Sequence, residues 1–257
     1  MIENPMIHDT SLPRYTVRSA VSFPDWTVVT SMRARDALLA ILEALGLDRM
    51  WRNYTPAEDR VRIALLRHYA EAGLAPAIGD LAERAGVSEM AIGPILASLK
   101  ARDLVVLEAD GKSIVGAYPL TDRDTEHRVR LGDRTLNAMC AIDALGVAAM
   151  YGRDAEINSR CRFCTAPIRI TTSDRGRALD AVRPATVVVW SGLRYEDGCA
   201  ASSICMTMAF FCSDAHLEAW RAAHDSKAPG FRLSIDEAFQ TGRAIFAPSL
   251  AGLDAHR

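Results

Sequence analysis

Cys140 and Asp143 stand three residues apart in the run Cys140-Ala141-Ile142-Asp143, which sets a sulfur ligand beside a group able to carry a proton. Sulfur is the donor that soft metals prefer. On a helix, positions i and i+3 share a face, so the spacing predicts that thiol and carboxylate point the same way. The stretch NAMCAIDALGVAAMYG, residues 137–152, has almost no charge and reads as a buried helix. An acid there is costly without a partner. Asp143 would either cap or bond the backbone locally, or stand beside a thiolate as a carboxyl group able to carry a proton.

All six cysteines lie between residues 140 and 212. Cys161 and Cys164 form a C-x-x-C in SRCRFCTAPIRI. A zinc ribbon needs a second pair at similar spacing, and Cys199, Cys205 and Cys212 do not supply one. A thioredoxin-type pair would open a helix, whereas Pro167 and the β-prone IRITT follow here. Cys205 falls in SICMTMAFF, which reads as an alternating apolar strand. Cys212 reads as a small buried hydrophobe. Whether Cys205 comes near Cys140 is left open by the sequence.

The elements that must position these groups fall into two halves. Residues 1–30 carry Pro5, Pro13 and Pro24 and read as an irregular arm. Ser31 to Leu47 reads as a packing helix, capped by Ser31 and stopped near Gly46. From Pro56 to Tyr118 the expected order is helix, helix ending at Gly86, helix opened by Ser88, then a hairpin around Asp110-Gly111. That is the order of a winged helix-turn-helix. Its third helix offers Ser88, Glu89, Met90, Ile92 and Pro94 before Lys100 and Arg102 appear, whereas a major-groove reader brings Arg, Lys, Asn or Gln to its first turns. Beyond Thr121 the chain mixes strands (EHRVRLGDRTL, AEINSRC, APIRITTS, ATVVVWSG and SICMTMAFFCS) with the Cys140 helix. Two helices finish it, DAHLEAWRAAHDS and SIDEAFQTGRAIFAPSLAG. The fold class expected is α+β, with a winged-helix-like module packed on a mixed strand and helix core. The divisions are 1–55 for arm and helix, 56–121 for the module and 122–257 for the core.

Hydrophobic residues make up 49% of the chain, enough for a real core, and the formal net charge is −2. That balance gives no bulk attraction to nucleic acid or to an anionic membrane. No run approaches the ~18 continuous apolar residues of a membrane span, and the first residues do not follow the order of a secretory signal. The expectation is a cytoplasmic protein with reduced thiols, reactive or metal-binding rather than disulfide-bonded.

Several motifs together resemble one family. They are CAIDAL at 140–145, CRFCTAP at 161–167, ICMTMAFF at 204–211, Trp220, DEAF at 236–239 and the hairpin DGKSIVGAYPLT. In this order they resemble the alkylmercury (organomercurial) lyases, over about residues 56–250. The resemblance implies cleavage of a carbon–mercury bond to a hydrocarbon and Hg(II). Carried over motif by motif, Cys140 and Cys205 would be the two thiolates that hold mercury and Asp143 the proton carrier. Cys161 would be structural, and the winged-helix part would pack on the core without acting on DNA. Mercury binds two thiolates almost linearly, and a carboxylic acid beside it is a suitable general acid. A dry pocket would raise the pKa of Asp143; Met208, Phe210 and Phe211 could help keep it dry, and core packing is the simpler account of them.

The implied partners are a small organomercurial substrate and, for the released Hg(II), a mercuric reductase. No membrane or nucleic acid enters, and no cofactor beyond external thiols that release the product. The sequence departs from the family at Met206, where many members carry a second cysteine, at the additional Cys164 and Cys199, and in its longer N-terminal arm. The alternatives are a thiol-based, metal-responsive winged-helix regulator and a metal-binding relative without the lyase step.

Overall fold

The computed structural model describes residues 12–18 and 21–253. Strands β1 (Tyr15–Arg18) and β2 (Val21–Phe23) pair antiparallel. The described part of the segment expected as an irregular arm therefore holds a short ladder; residues 1–11 of that expectation fall outside the described residues. Helix α1 (Met32–Leu45) starts and stops where its sequence predicts. Ser31 Oγ accepts from the N–H groups of Arg33 and Ala34, and Gly46 closes the helix at φ 59°. Its buried stripe includes Ala37, Leu38 and Ile41. One further turn, α2 (Leu47–Met50), follows.

Helices α3 (Pro56–Ala72), α4 (Ile78–Ala85) and α5 (Glu89–Ala101), then strands β3 (Val105–Leu107) and β4 (Ile114–Ala117), reproduce the winged-helix order. The wing turns where expected: Asp110 Oδ1 accepts from the backbone N–H of Lys112 at 2.7 Å and of Ser113 at 2.8 Å, with Gly111 at φ 68°. On α5, Glu89, Met90, Gly93, Pro94 and Ala97 face solvent, and Ile92 is buried. The face that a groove reader would use thus opens on an acid and apolar groups.

Strand β5 (Leu120–Thr121) pairs with β4 on one side and with β7 (Arg134–Ala138) on the other, next to β6 (Arg128–Leu131). The ladder therefore crosses residue 121 without a break. The stretch EHRVRLGDRTL, expected as one strand, is a hairpin, because Gly132 at φ 62° and Asp133 make a two-residue turn between β6 and β7. After helix α6 (Ala141–Tyr151) come β8 (Glu156–Arg160), β9 (Pro167–Ser173) and β10 (Ala178–Arg183). The eight-stranded sheet runs β10-β9-β8-β6-β7-β5-β4-β3. Strand β10 is a half-exposed edge strand, so it lacks the apolar alternation that would announce it.

The remaining elements are β11 (Val188–Gly192), α7 (Ile204–Thr207), β12 (Met208–Phe211), α8 (Asp214–His224), β13 (Gly230–Ser234) and α9 (Ile235–Phe246). A second sheet has the order β12-β11-β13. The run SICMTMAFF is not one strand. Ile204 and Cys205 are both buried while Met206 is exposed, which is helical rather than alternating, and only Met208 onward is extended. Cys205 therefore sits on a helical turn. Helices α6 and α9 cross backbone to backbone. A Cβ on Gly146 would lie 2.6 Å from the Gly242 carbonyl oxygen, and one on Gly242 2.6 Å from the Ile142 carbonyl oxygen. Only glycine at both positions lets α9 approach closely enough to bring Ile245 and Phe246 against the start of α6.

Candidate active site

Cys140 caps α6 rather than riding on it. Its backbone is extended, at φ −151° and ψ 179°, and its Sγ accepts from the Asp143 N–H at 3.4 Å. The i, i+3 expectation is corrected in its cause. The two side chains meet because a thiol takes the capping place and uses an N–H that the first turn leaves free. Cys205 arrives from α7, and its thiol donates to Asp143 Oδ2 at 3.7 Å. The Cys140 thiol donates to Met208 Sδ, also at 3.7 Å. One ligand atom each from Cys140, Asp143 and Cys205 lies within 4.8 Å of the others.

The three side chains are buried, at 1%, 4% and 5% exposure for Cys140, Asp143 and Cys205. Burial decides their proton affinities. Desolvation pushes Asp143 up to about 7, against the hydrogen bonds from Cys140 and Cys205 that favour its charged form. Desolvation likewise raises Cys140. The thiol of Cys205 is raised well above the ordinary range by its hydrogen bond with Cys140, then by desolvation and the nearby Asp143 carboxylate. The trio is therefore a proton store: two thiols that hold their protons and an acid half-ionised near neutrality.

The cavity beside the trio has a volume of about 40 Å³, little more than the ~30 Å³ share of one water molecule. Its walls are mostly apolar and come from far apart in the chain: Ile41 and Leu45 of α1, Leu47 and Trp51, Ile204 and Met208, and Ile245 and Phe246 of α9, with Asp103 and Tyr118 the polar exceptions beside the trio. Met208 is thus a wall residue, as expected. Phe210 and Phe211 do not line the cavity; they pack behind it, against His127 and Trp220. Met206 is 58% exposed, so its side chain faces away from the cavity.

One buried acid escaped the sequence reading. Asp103 accepts from the Ala200 N–H at 2.8 Å and from the hydroxyls of Tyr195 and Tyr118 at 3.3 Å each. Tyr118 in turn accepts from the Ala201 N–H at 2.5 Å. Asp103 and Tyr118, from the winged-helix module, therefore pin the segment that leads into Cys205. The only sequence signal was an aspartate just past a helix end, where its φ of 52° suits Asp better than most residues. Asp103→Asn puts an amide against the donors that Asp103 now accepts. Its expected cost is about 1–3 kcal/mol of stability, with faster thiol labelling at Cys205. Denaturant unfolding and labelling kinetics check both.

The structure also gathers four residues that the sequence did not connect. Cys161, Cys164, Cys212 and His216 place their ligand atoms within 4.8 Å of one another. No second cysteine pair at that spacing exists, as expected, but Cys212 and His216, at the junction of β12 and α8, come close to Cys161 and Cys164, which the sequence reading did not anticipate. The missed signal is a cysteine and a histidine four apart. Cys199 stands outside both groups.

Comparison with known proteins agrees with this architecture. The alkylmercury lyase of Pseudomonas putida is 30% identical over 166 residues, which span 62% of this chain and 76% of that protein. The chain belongs to the alkylmercury lyase family. The family's model matches residues 120–247, the stretch that holds all three residues of the site. The alkylmercury lyase of Staphylococcus epidermidis is 29% identical over 184 residues, 71% of this chain and 80% of that protein. Among solved structures, the mercury-bound form of MerB2 aligns with a TM-score of 0.64 at 23% identity, covering 85% of this chain and all of that one. That likeness shows the fold. Membership of the alkylmercury lyase family makes the chain an enzyme, and the α+β class is as expected. Among the described residues, no helix is long and apolar enough to cross a membrane.

Proposed function

We propose that the chain cleaves the carbon–mercury bond of organomercurials by protonolysis, with Cys140 and Cys205 holding mercury and Asp143 delivering the proton to carbon. The observation that carries this reading is the meeting of two buried thiols and one carboxyl group within 4.8 Å. Two thiols can replace the halide or thiol ligand of an organomercurial and bind the metal almost linearly. Each must lose a proton to do so. Asp143, beside the Cys205 thiol and pushed up to about 7, is suited to take one proton and hold it. A second sulfur on mercury weakens the metal–carbon bond, and the proton then passes from Asp143 to carbon. The balance is simple. R–Hg–X and two thiols give R–H, a mercury bridged by two thiolates, and HX.

The mostly apolar lining of the cavity suits a hydrocarbon group and limits the water that would otherwise level the acidity of Asp143. A cavity of about 40 Å³ is too small for a phenyl ring as it stands. An aryl substrate therefore requires the lining side chains to move apart. Hg(II) then leaves by exchange with a small external dithiol, as thiolates exchange at sulfur. No resident cofactor takes part in the cleavage, and a reductase that consumes Hg(II) is the fitting recipient. The exposed face of α5, acidic and apolar at its first turns, supports this reading over a metal-responsive DNA binder.

The test is direct. Folded, reduced protein incubated with phenylmercury and excess thiol is expected to release benzene catalytically. Metal uptake without benzene would leave a metal-binding relative; DNA affinity that changes with metal would favour the regulator.

A further inference from the structure

We propose that Cys161, Cys164, Cys212 and His216 form a structural zinc site, separate from the residues assigned to carbon–mercury cleavage and independent of that assignment. Tetrahedral zinc with bonds of ~2.3 Å to sulfur and ~2.0 Å to nitrogen requires ligand atoms about 3.5–3.8 Å apart. The protein supplies such edges. Cys164 Sγ and Cys212 Sγ are 3.7 Å apart, and Cys161 Sγ and His216 Nδ1 are 3.8 Å apart. Cys212 Sγ and His216 Nδ1, at 2.9 Å, need only a small opening. Three sulfurs and one imidazole fill four positions and leave none for water or substrate, which marks a structural rather than catalytic site.

The backbone is built for ligation. Cys161 and Cys164 flank the tight turn between β8 and β9, where Thr165 takes φ 60° and donates its N–H to the Cys161 carbonyl at 2.8 Å. The Phe163 ring, 46% exposed, lies 5.1 Å from that of His216, so an aromatic contact holds the imidazole beside the turn.

The position gives the site a purpose. Cys161 and Cys164 lie in the turn joining two strands of the eight-stranded sheet, while Cys212 directly follows β12 of the three-stranded sheet and His216 lies in the first turn of α8. Zinc would rivet the two sheets together. The same turn already reaches across: the Arg162 N–H donates to the Phe210 carbonyl and its guanidinium to the Met206 carbonyl, both at 3.0 Å. Met206 follows Cys205. The rivet therefore holds the end of the segment that Asp103 and Tyr118 hold at its start.

The experiment is metal analysis of the full chain, purified reduced, without chelator, from cells grown without mercury. One zinc per chain is expected, with cobalt substitution giving the visible spectrum of a tetrahedral thiolate site. Cys164→Ser and His216→Ala should each reduce zinc retention at least tenfold, while Cys140→Ser and Cys205→Ser keep one equivalent. Cys164 is exposed on a turn, so its serine variant should fold, and circular dichroism checks that it does. Chelation should lower the melting temperature of the parent by about 5 °C or more and leave that of Cys164→Ser unchanged. Wild-type protein that is folded and reduced yet holds well under one zinc, with no tetrahedral cobalt spectrum, would overturn the proposal. Zinc lost from Cys140→Ser as readily as from Cys164→Ser would overturn its separation from the reaction centre.

Discussion

Cys140→Ser and Cys205→Ser are each expected to slow benzene release from phenylmercury by at least about 1000-fold, and the double variant to be little worse than either single one. The non-additivity follows from the proposed chemistry. A hydroxyl is a poor ligand for a soft metal, and one sulfur alone does not activate the metal–carbon bond. Either loss therefore removes the same step. The fold should tolerate both changes, because serine replaces sulfur without adding volume and is itself a favoured capping residue at position 140. Gas chromatography of benzene, with melting temperatures alongside, gives the answer. Turnover in either single variant at more than a tenth of the parent rate would remove that cysteine from the mechanism.

The second large effect belongs to Asp143. Asp143→Asn should still take up phenylmercury but release benzene at least about 100-fold more slowly, because the amide cannot hand a proton to carbon. The same substitution should stabilise the fold. Asp143 is pushed up to about 7 in the folded chain, against ~3.9 when unfolded. A group raised in the folded state favours folding most at low pH, and that advantage fades as the pH climbs from about 4 to 7. The carboxylate left buried above pH 7 then costs on the order of 4 kcal/mol before any local relaxation. Asparagine has no charge to bury. Urea midpoints should therefore converge for parent and variant near pH 4 and favour the variant at pH 8. Parallel pH dependences would mean that Asp143 is not held near neutrality, and the proton carrier would have to be sought elsewhere.

The sequence spoke clearly where physics is local. Ser31 and Gly46 bound α1, and Asp110 with Gly111 turns the wing, because a cap or a turn depends on residues within a few positions. It also identified the two motifs that carry the trio. It was silent where partners are remote. Asp103 meets Ala200 across 97 residues, and Cys161 meets His216 across 55; no spacing rule anticipates either. It misled where two local patterns coincide. ICMTMAFF alternates well enough to pass for a strand, yet its first four residues make a helical turn. Cysteine is also absent from the usual capping residues, so CAID read as helix from its first residue although Cys140 stands just before it.

The wall of the cavity has a consequence for how the catalyst is divided along its chain. The segment matching the family's model begins at residue 120, yet Ile41, Leu45, Leu47, Trp51, Asp103 and Tyr118 all line the cavity from before that point. The three site residues lie in one stretch, while part of the wall that keeps them dry comes from another. The raised proton affinity of Asp143 therefore depends in part on residues far upstream in the chain. A core cut free at residue 120 would keep every reacting atom while flooding the site, and its aspartate would return to being an ordinary acid.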